Sequence, residues 1–324
     1  MTHHLLRAVL LLTAALAPLS VLAADPDISD VDLSTFTGFT TQLQPAKSDS
    51  DSQTAPFQST SVVSAKSLVL AGSIPFPNVP TSQTQAFASA SVNNFGFIGV
   101  GVSGFFFQNS LPKNALTADA SGTLSIFNNS TESQSLSVDF LIPAPTLRFF
   151  GIGNSLPPDP ARDVAAVVSA RMLSTITHAN GSVDQQHTAL DYGLTIFRET
   201  RSGVLLPVPT ADASGKVSRF DEPDGSFGFQ LEPLVLTDFF IAEFAPGDTI
   251  EFIFDYLASA STGFGETGIF AAIGDPLNLS AGGGHFDIHF APAAIPEPTA
   301  WTLLAIGLLA LRFGARAGAQ RRFG

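Results

Sequence analysis

The sequence has no cysteine, one tryptophan, two tyrosines and two methionines, and only 13% of its 324 residues are charged. The absence of cysteine excludes disulfide bridges, thiolate zinc sites and cysteine nucleophiles. Lysine and glutamate, the charged residues that favour helices, are scarce, and this favours β-structure. The single tryptophan, Trp301, lies close to the C-terminus, and the tyrosines are limited to Tyr192 and Tyr256. This argues against a carbohydrate-binding module, since sugar-stacking surfaces commonly use tryptophan and tyrosine.

Acidic residues outnumber basic residues, and the formal net charge is −13. Between Asp25 and Ala294, ten basic residues stand against twenty-seven acidic ones, a formal charge of −17. Such a surface repels phosphate backbones and argues against nucleic acid as a partner. We expect the acidic residues to keep the protein soluble, with collection of Ca²⁺ as the alternative.

The N-terminus has the parts of a secretory signal peptide. Arg7 precedes a short apolar run, and small residues follow it. Cleavage is predicted after Ala23 or Ala24, which would remove residues 1–23 or 1–24. The alternative is an uncleaved membrane anchor, but the apolar run is shorter than the ~20 residues of a bilayer span.

Residues 295–324 combine a proline-bracketed glutamate, a short apolar run and a basic tail. Proline on both sides of the glutamate in Pro296-Glu297-Pro298 keeps this tripeptide extended, which suits entry into a protease cleft. The apolar run contains Trp301 and is about thirteen residues long, so the first arginine after it would have to snorkel. Basic residues favour the cytoplasmic side of a membrane. The basic residues of the tail are Arg312, Arg316, Arg321 and Arg322.

This order of elements resembles the PEP-CTERM sorting signal of exported Gram-negative proteins. The resemblance implies that exosortase, a membrane-embedded transpeptidase-like enzyme, cuts near the tripeptide and passes the protein onward. It also implies a transient anchor in the inner membrane through a short C-terminal helix, followed by release to the cell surface or the extracellular space. The resemblance covers 30 of 324 residues and implies nothing about the fold or function of the rest.

Residues 25–58 are acidic, rich in serine and threonine, and poor in large aliphatic side chains. We expect a weakly ordered leading segment that contributes at most an edge strand near the stretch FTGFTTQ. Its DPDISDVD and SDSDS runs resemble calcium loops, but they lack the glycine and distal glutamate of an EF-hand. A solvated segment is the preferred interpretation.

Residues 59–294 read as short strands separated by turns, which predicts an all-β domain of the β-sandwich or jelly-roll type. The stretch from Val164 to Ile176 favours a long strand over a helix capped near Asp159. The proline-rich span 143–160 is either a linker between two halves or a loop that crosses the sandwich. The clearest strand face comprises Ile250, Phe252, Phe254 and Tyr256.

A β-hairpin is predicted where two alternating runs flank a polar turn. The first run places Leu124 and Ile126 on one face, and Asn128 opens the turn. The returning run places its apolar residues on one face as well. These residues are Leu136, Val138 and Phe140.

No motif specifies a catalytic reaction, so the protein is not expected to be an enzyme. The nucleophile-elbow pattern G-x-S-x-G does not occur, and the glycine-rich stretch 96–104 lacks the Lys-Ser/Thr of a phosphate loop. A carboxylate pair of the glycosidase kind cannot be inferred from sequence. His178 and His187 could face each other across a hairpin, but exposed surface residues are the preferred interpretation. Asp221–Gly225 is interpreted as a turn with clustered carboxylates, with a weak Ca²⁺ loop as the alternative.

The strongest candidate for a metal site is the alternating pattern His285, Asp287 and His289. Alternate residues of a strand project from the same face, so these side chains could converge with a fourth group from another strand. The preferred interpretation is the polar outer face of a strand. No cofactor is expected, apart from a divalent ion at this face.

The leading hypothesis is an exported protein of the cell envelope or extracellular matrix, with a structural or adhesive β-domain and no catalytic activity. The alternative is a surface module that binds polysaccharide or a divalent metal through the acidic loops or the His285/Asp287/His289 face.

Overall fold

The computed structural model describes ten stretches of the chain. They are residues 26–41, 44–57, 63–74, 82–94, 98–106, 114–150, 164–198, 204–262, 267–274 and 285–293. The predicted signal peptide with Ala23 and Ala24 lies outside them. So does the whole tail, including Pro296, Glu297, Pro298, Trp301 and the four arginines. Across the ten stretches, no helix is long and apolar enough to cross a membrane.

The described residues form seventeen β-strands and one short 3₁₀ turn, so the all-β prediction is confirmed. The first nine strands are β1 (Asp27–Thr41), β2 (Gln44–Pro56), β3 (Val63–Ile74), β4 (Ser82–Asn93), β5 (Ile98–Phe106), β6 (Asn114–Phe127), β7 (Gln134–Ile142), β8 (Thr146–Phe150) and β9 (Val164–Thr177). The others are β10 (His187–Arg198), β11 (Leu205–Pro209), β12 (Val217–Asp221), β13 (Phe227–Leu231), β14 (Leu234–Phe244), β15 (Thr249–Thr262), β16 (Thr267–Ile273) and β17 (His285–Pro292). The 3₁₀ turn, Ala211–Ala213, lies between β11 and β12.

The strands form three sheets, named here A, B and C. Sheet A has the order β11-β10-β9-β15-β6-β1-β2, and sheet B has the order β12-β13-β8-β16-β5-β4-β3. Sheet C has three strands in the order β14-β7-β17. Strands β4 and β5 of sheet B contact β6 of sheet A, and β5 also contacts β15. Sheets A and B therefore face each other in a β-sandwich-like arrangement.

The core lies where the predicted apolar faces meet. On β15, Ile250, Phe252, Phe254 and Tyr256 are all fully buried, as the alternation predicts. The ring of Phe254 covers its register partner Gly122, where an added Cβ would lie 2.0 Å from the ring. A glycine is therefore required at this point of β6, because any side chain would overlap the ring. The long strand predicted from Val164 onward is confirmed as β9.

The predicted hairpin between β6 and β7 is wrong. Strand β6 pairs with β1 and β15 in sheet A, whereas β7 pairs with β14 in sheet C. The predicted faces are nevertheless correct, because Leu124, Val138 and Phe140 are all buried. Alternation states which face of a strand is apolar and does not state which strand lies beside it. The chain crosses from one sheet to another instead of turning back.

The expectation of a weakly ordered leading segment is also wrong. Strand β1 is an interior strand of sheet A, paired with β6 on one side and β2 on the other. Its inward residues are Val31, Leu33, Thr35, Thr37 and Phe39, all buried. Two of the five are threonines, and this hid the apolar alternation. The hydroxyls of Thr35 and Ser64 lie 2.9 Å apart, so the buried threonine has a partner.

The SDSDS run is part of edge strand β2 and not a calcium-like loop. The Asp51 carboxylate accepts a hydrogen bond from the Ser64 hydroxyl at 3.2 Å. The Asp49 carboxylate lies 3.4 Å from the ammonium group of Lys66 on β3. Charged residues on an edge strand discourage pairing with another chain. Asp49 and Asp51 on β2 contact β3, and in this way they connect the edge of sheet A to the edge of sheet B.

Prolines mark the place where sheet B gives way to sheet C. Strands β7 and β8 run consecutively, as do β13 and β14, and β7 pairs with β14 while β8 pairs with β13. Pro143 and Pro145 interrupt the first strand, and Pro233 interrupts the second at the matching position. Proline has no N–H to donate to a ladder, so both strands leave the sheet at the same level. The pair then continues as sheet C.

Candidate functional site

Three side chains from three strands converge on the outward face of sheet C. They are Asp139 on β7, Asp238 on β14 and His289 on β17, and their ligand atoms lie within 4.8 Å of one another. The Asp139 and His289 side chains are each a little over two-fifths exposed, and Asp238 is exposed. The group is therefore open to solvent.

A β-bulge positions Asp238. The register of β14 against β7 shifts between Leu236 and Phe239. Asp238 lies in this shift with φ of 49°, a left-handed conformation that side chains other than Asn and Asp rarely adopt. Its N–H donates to Asp139 Oδ1 at 2.8 Å. The bulge thus places Asp238 beside Asp139 on the outward face of sheet C.

Asp139 is the centre of this group. One carboxylate oxygen accepts the N–H of Asp238, and the other lies 3.2 Å from Nε2 of His289. The Asp238 N–H and, after it, the His289 side chain hold the pKa of Asp139 below its usual range. The carboxylate is therefore ionised over a wide pH range, as a metal ligand must be.

Of the two residues of the predicted metal pattern whose side chains the structure describes, one is part of this group. His289 belongs to it, and Asp287 is exposed on the same strand outside it. His285 begins β17, and its side chain lies outside the described residues. The partners of His289 in this group, Asp139 and Asp238, come from other strands.

A second charged group lies on the outward face of sheet A. Arg171 on β9 and Asp255 on β15 are register partners, with Arg171 Nη2 3.1 Å from Asp255 Oδ2. Asp119 on β6 is diagonal to Asp255, because it pairs with Leu257. Asp191 on β10 is the partner of Arg171 on the other side.

The Asp119 and Asp255 carboxyls are neighbours, and both have raised pKa values. Burial and, after it, the charge of Asp255 raise the pKa of Asp119 to about 6. Burial also raises the pKa of Asp255, against the opposing charge of Arg171, and the two carboxyls are hydrogen-bonded. They lie side by side on the outward face of sheet A.

His178, Asp184 and Asp248 join two turns at one end of the sandwich. The imidazole lies 3.1 Å from Asp248 through Nδ1 and 3.2 Å from Asp184 through Nε2. Hydrogen bonds to Asp248 and then to Asp184 raise the pKa of His178. His187 lies opposite Ser174 on β9, so the expectation that His178 and His187 face each other is wrong.

The predicted turn at Asp221–Gly225 is confirmed. The carboxylate of Asp224 holds this turn in place. Gly225 has φ of 80°, and its N–H donates to the Glu222 carbonyl. The Asp224 carboxylate accepts hydrogen bonds from the N–H and hydroxyl of Ser226 and lies 3.2 Å from the Arg148 guanidinium. The Ser226 hydrogen bonds, foremost, lower the pKa of Asp224.

No sequence signal marks Asp139 or Asp238 as ligands. Asp139 is one more outward residue in the alternation of β7, and many outward residues are polar. The stretch Thr237-Asp238-Phe239-Phe240 breaks the alternation of β14, which is the one local sign of a bulge. Pairing of β14 with β7 then brings together residues 99 positions apart.

No protein-family model and no curated protein matches the chain. Among solved structures, the chain was compared with the D431N mutant of the VP2 protein of infectious bursal disease virus in derived T=1 particles. The two are 8% identical over 87% of this chain and 82% of that chain, with a TM-score of 0.09. A likeness at this level carries no weight for fold or function.

Proposed function

We propose that the protein is an exported component of the cell envelope or extracellular matrix, with a non-catalytic β-domain in a structural or adhesive role. The observation that carries the proposal is the tail: Pro296-Glu297-Pro298, an apolar run and four arginines, in a chain that begins with a predicted signal peptide. The processing partner would be an exosortase-like enzyme. The route would pass through the inner membrane to the cell surface or a biofilm matrix.

The β-domain supports a structural role through the use of its polar side chains. The three carboxylates of Asp49, Asp224 and Asp248 hold strand edges or turns through hydrogen bonds and ion pairs. The hydrogen bonds to the buried Asp248 contribute most of the stability in this set, which suits a domain without disulfides outside the cell. The finer assignment to the jelly-roll class stays a prediction.

Intact mass of the protein in separated membrane and culture fractions of its native host tests the proposal. We expect a species that begins after Ala23 or Ala24 and lacks everything beyond the Pro296-Glu297-Pro298 region. Glu297→Gln should leave the tail attached and the protein in the membrane fraction. Glu243→Gln, a change at an exposed glutamate of β14, is the matched control and should be processed normally.

Two results would contradict this proposal in different ways. Cytoplasmic protein with both ends intact would refute export altogether. An exported species that retains Trp301 and the arginines would refute processing and would make the tail a standing anchor.

A second candidate, binding of an extracellular polysaccharide, is favoured by a polar row across the outward face of sheet A. Five strands at a spacing of roughly 4.8 Å give the row a length of roughly 19 Å. Hydroxyl, carboxylate and guanidinium groups can all hydrogen-bond to sugar hydroxyls. Successive register partners form the row: Ser52, Ser34, Ser121, Asp255 and Arg171.

Calorimetric titration with neutral and acidic glycans tests this second candidate. Ser121→Leu places a bulky apolar group in the middle of the row and should abolish binding. Ser137→Leu makes the same change on β7 of sheet C and should leave binding intact. Flat traces for the unchanged protein with every glycan would remove the candidate.

A further inference from the structure

We propose that Asp139, Asp238 and His289 bind a divalent transition-metal ion, with Zn²⁺ as the best fit. This site lies on the outward face of sheet C and differs from the one predicted along β17, because two of its three ligands come from other strands. The inference goes beyond the export proposal and does not depend on it. It concerns residues of the β-domain alone.

The separations suit a small ion. Zinc takes nitrogen and carboxylate ligands at about 2.0–2.2 Å, so two ligands of a tetrahedral ion lie roughly 3.3 Å apart. His289 Nε2 and Asp139 Oδ2 are 3.2 Å apart. Asp238 lies within 4.8 Å of both and completes the set by a small side-chain rotation. Water would fill the remaining position.

The donor set selects the class of ion. One imidazole with two carboxylates suits zinc and its transition-metal neighbours. Calcium takes six to eight oxygen ligands, and an imidazole nitrogen is a poor substitute for one of them. Binding of Ca²⁺ to this group should therefore be much weaker than binding of Zn²⁺.

Little is lost when an ion enters. The His289–Asp139 pair is exposed, and exposed ion pairs contribute little to stability. The Asp238 N–H still holds the other oxygen of Asp139, so this carboxylate keeps its orientation. The surrounding excess of acidic residues favours any cation electrostatically.

The Asp287 carboxylate on β17 does not belong to the group whose ligand atoms lie within 4.8 Å of one another. Side chains two positions apart on a strand are anchored roughly 7 Å apart at the backbone. Asp287 and His289 would both have to bend toward a point between them. Cross-strand neighbours start closer together.

Isothermal titration of the untagged protein with ZnCl₂, and separately with CaCl₂, tests the site. His289→Gln and Asp238→Gly each remove one ligand. Glycine accepts the left-handed backbone at position 238, so the second variant should fold at least as well as the unchanged protein. Asp287→Asn is the matched control on the same strand face.

We expect one Zn²⁺ per chain, an affinity lowered by about 10-fold or more in His289→Gln and Asp238→Gly, and no change in Asp287→Asn. We also expect Zn²⁺ to raise the thermal unfolding midpoint of the unchanged protein and not that of Asp238→Gly. No heat of binding at millimolar Zn²⁺ would overturn the proposal. Equal affinity in all variants, or a loss confined to Asp287→Asn, would overturn it as well.

Discussion

The two tyrosines of the chain offer a matched pair of substitutions with opposite expected signs. Both side chains are fully buried. The Tyr192 hydroxyl donates to the Glu232 carbonyl at 2.5 Å. The Tyr256 hydroxyl has no hydrogen-bond partner among the described residues, and its ring meets Phe140 edge to face at 6.3 Å. Tyr192→Phe therefore removes a hydroxyl that makes a hydrogen bond, whereas Tyr256→Phe removes a hydroxyl that makes none.

The expected magnitudes follow from hydrogen bonding. A buried polar group without a partner costs about 1–3 kcal/mol, and its oxygen recovers only about 0.1–0.2 kcal/mol for each of its close contacts. Tyr256→Phe should therefore stabilise the protein by about 0.5–2 kcal/mol. Tyr192→Phe removes one hydrogen bond and should destabilise it by about 0.5–1.5 kcal/mol, because the exposed Glu232 can bond to water instead.

Urea unfolding followed by circular dichroism measures both values at pH 7. The midpoint should rise for Tyr256→Phe and fall for Tyr192→Phe, with the slope unchanged in each case. If Tyr256→Phe destabilises as much as Tyr192→Phe, the Tyr256 hydroxyl has a partner and the reasoning is refuted.

Three further predictions concern buried or crowded positions. Since the pKa of Asp119 is raised to about 6, its stabilising contribution is complete below pH 3.8 and is lost as pH rises through 6. Asp119→Asn should flatten that part of the stability profile in urea titrations between pH 4 and 7, and an unchanged profile would contradict the shift. Asn128→Ala removes two donated and two accepted side-chain bonds at a 1% exposed residue and should cost about 2–4 kcal/mol in chemical unfolding. The exposed neighbour Asn129→Ala should change stability by less than about 0.5 kcal/mol, and equal costs would refute the assignment. Gly122→Ala forces a Cβ into the Phe254 ring and should cost about 1–3 kcal/mol by the same assay, whereas a neutral effect would mean that the ring moves away freely.

The sequence by itself determined the kind of element and the buried face of most strands. Alternation along β15 and β9 predicted the faces that are buried, because the side-chain direction in a strand depends on local backbone geometry alone. It also determined the turn at Asp221–Gly225, since turn chemistry is local. The predicted export signals rest on the sequence alone.

Local pattern failed where polar residues occupy inward positions. Thr35 and Thr37 are fully buried in β1, and a reader of the sequence counts them as solvated. Their burial is acceptable because a hydroxyl can bond to a neighbouring strand, as Thr35 does with Ser64. Such a partner lies 29 positions away and leaves no mark near Thr35.

Only the tertiary structure decided which strands are neighbours and therefore which residues share a site. A strand with one apolar face satisfies its burial equally well in a hairpin or in a crossing to another sheet, so β6 and β7 could not be assigned from their patterns. Strand pairing brought Asp139, Asp238 and His289 together across 150 positions of sequence. Strand pairing depends on contacts between segments that are distant in sequence, whereas alternation depends on adjacent residues. The candidate metal site is formed by strand pairing, so alternation could not predict it.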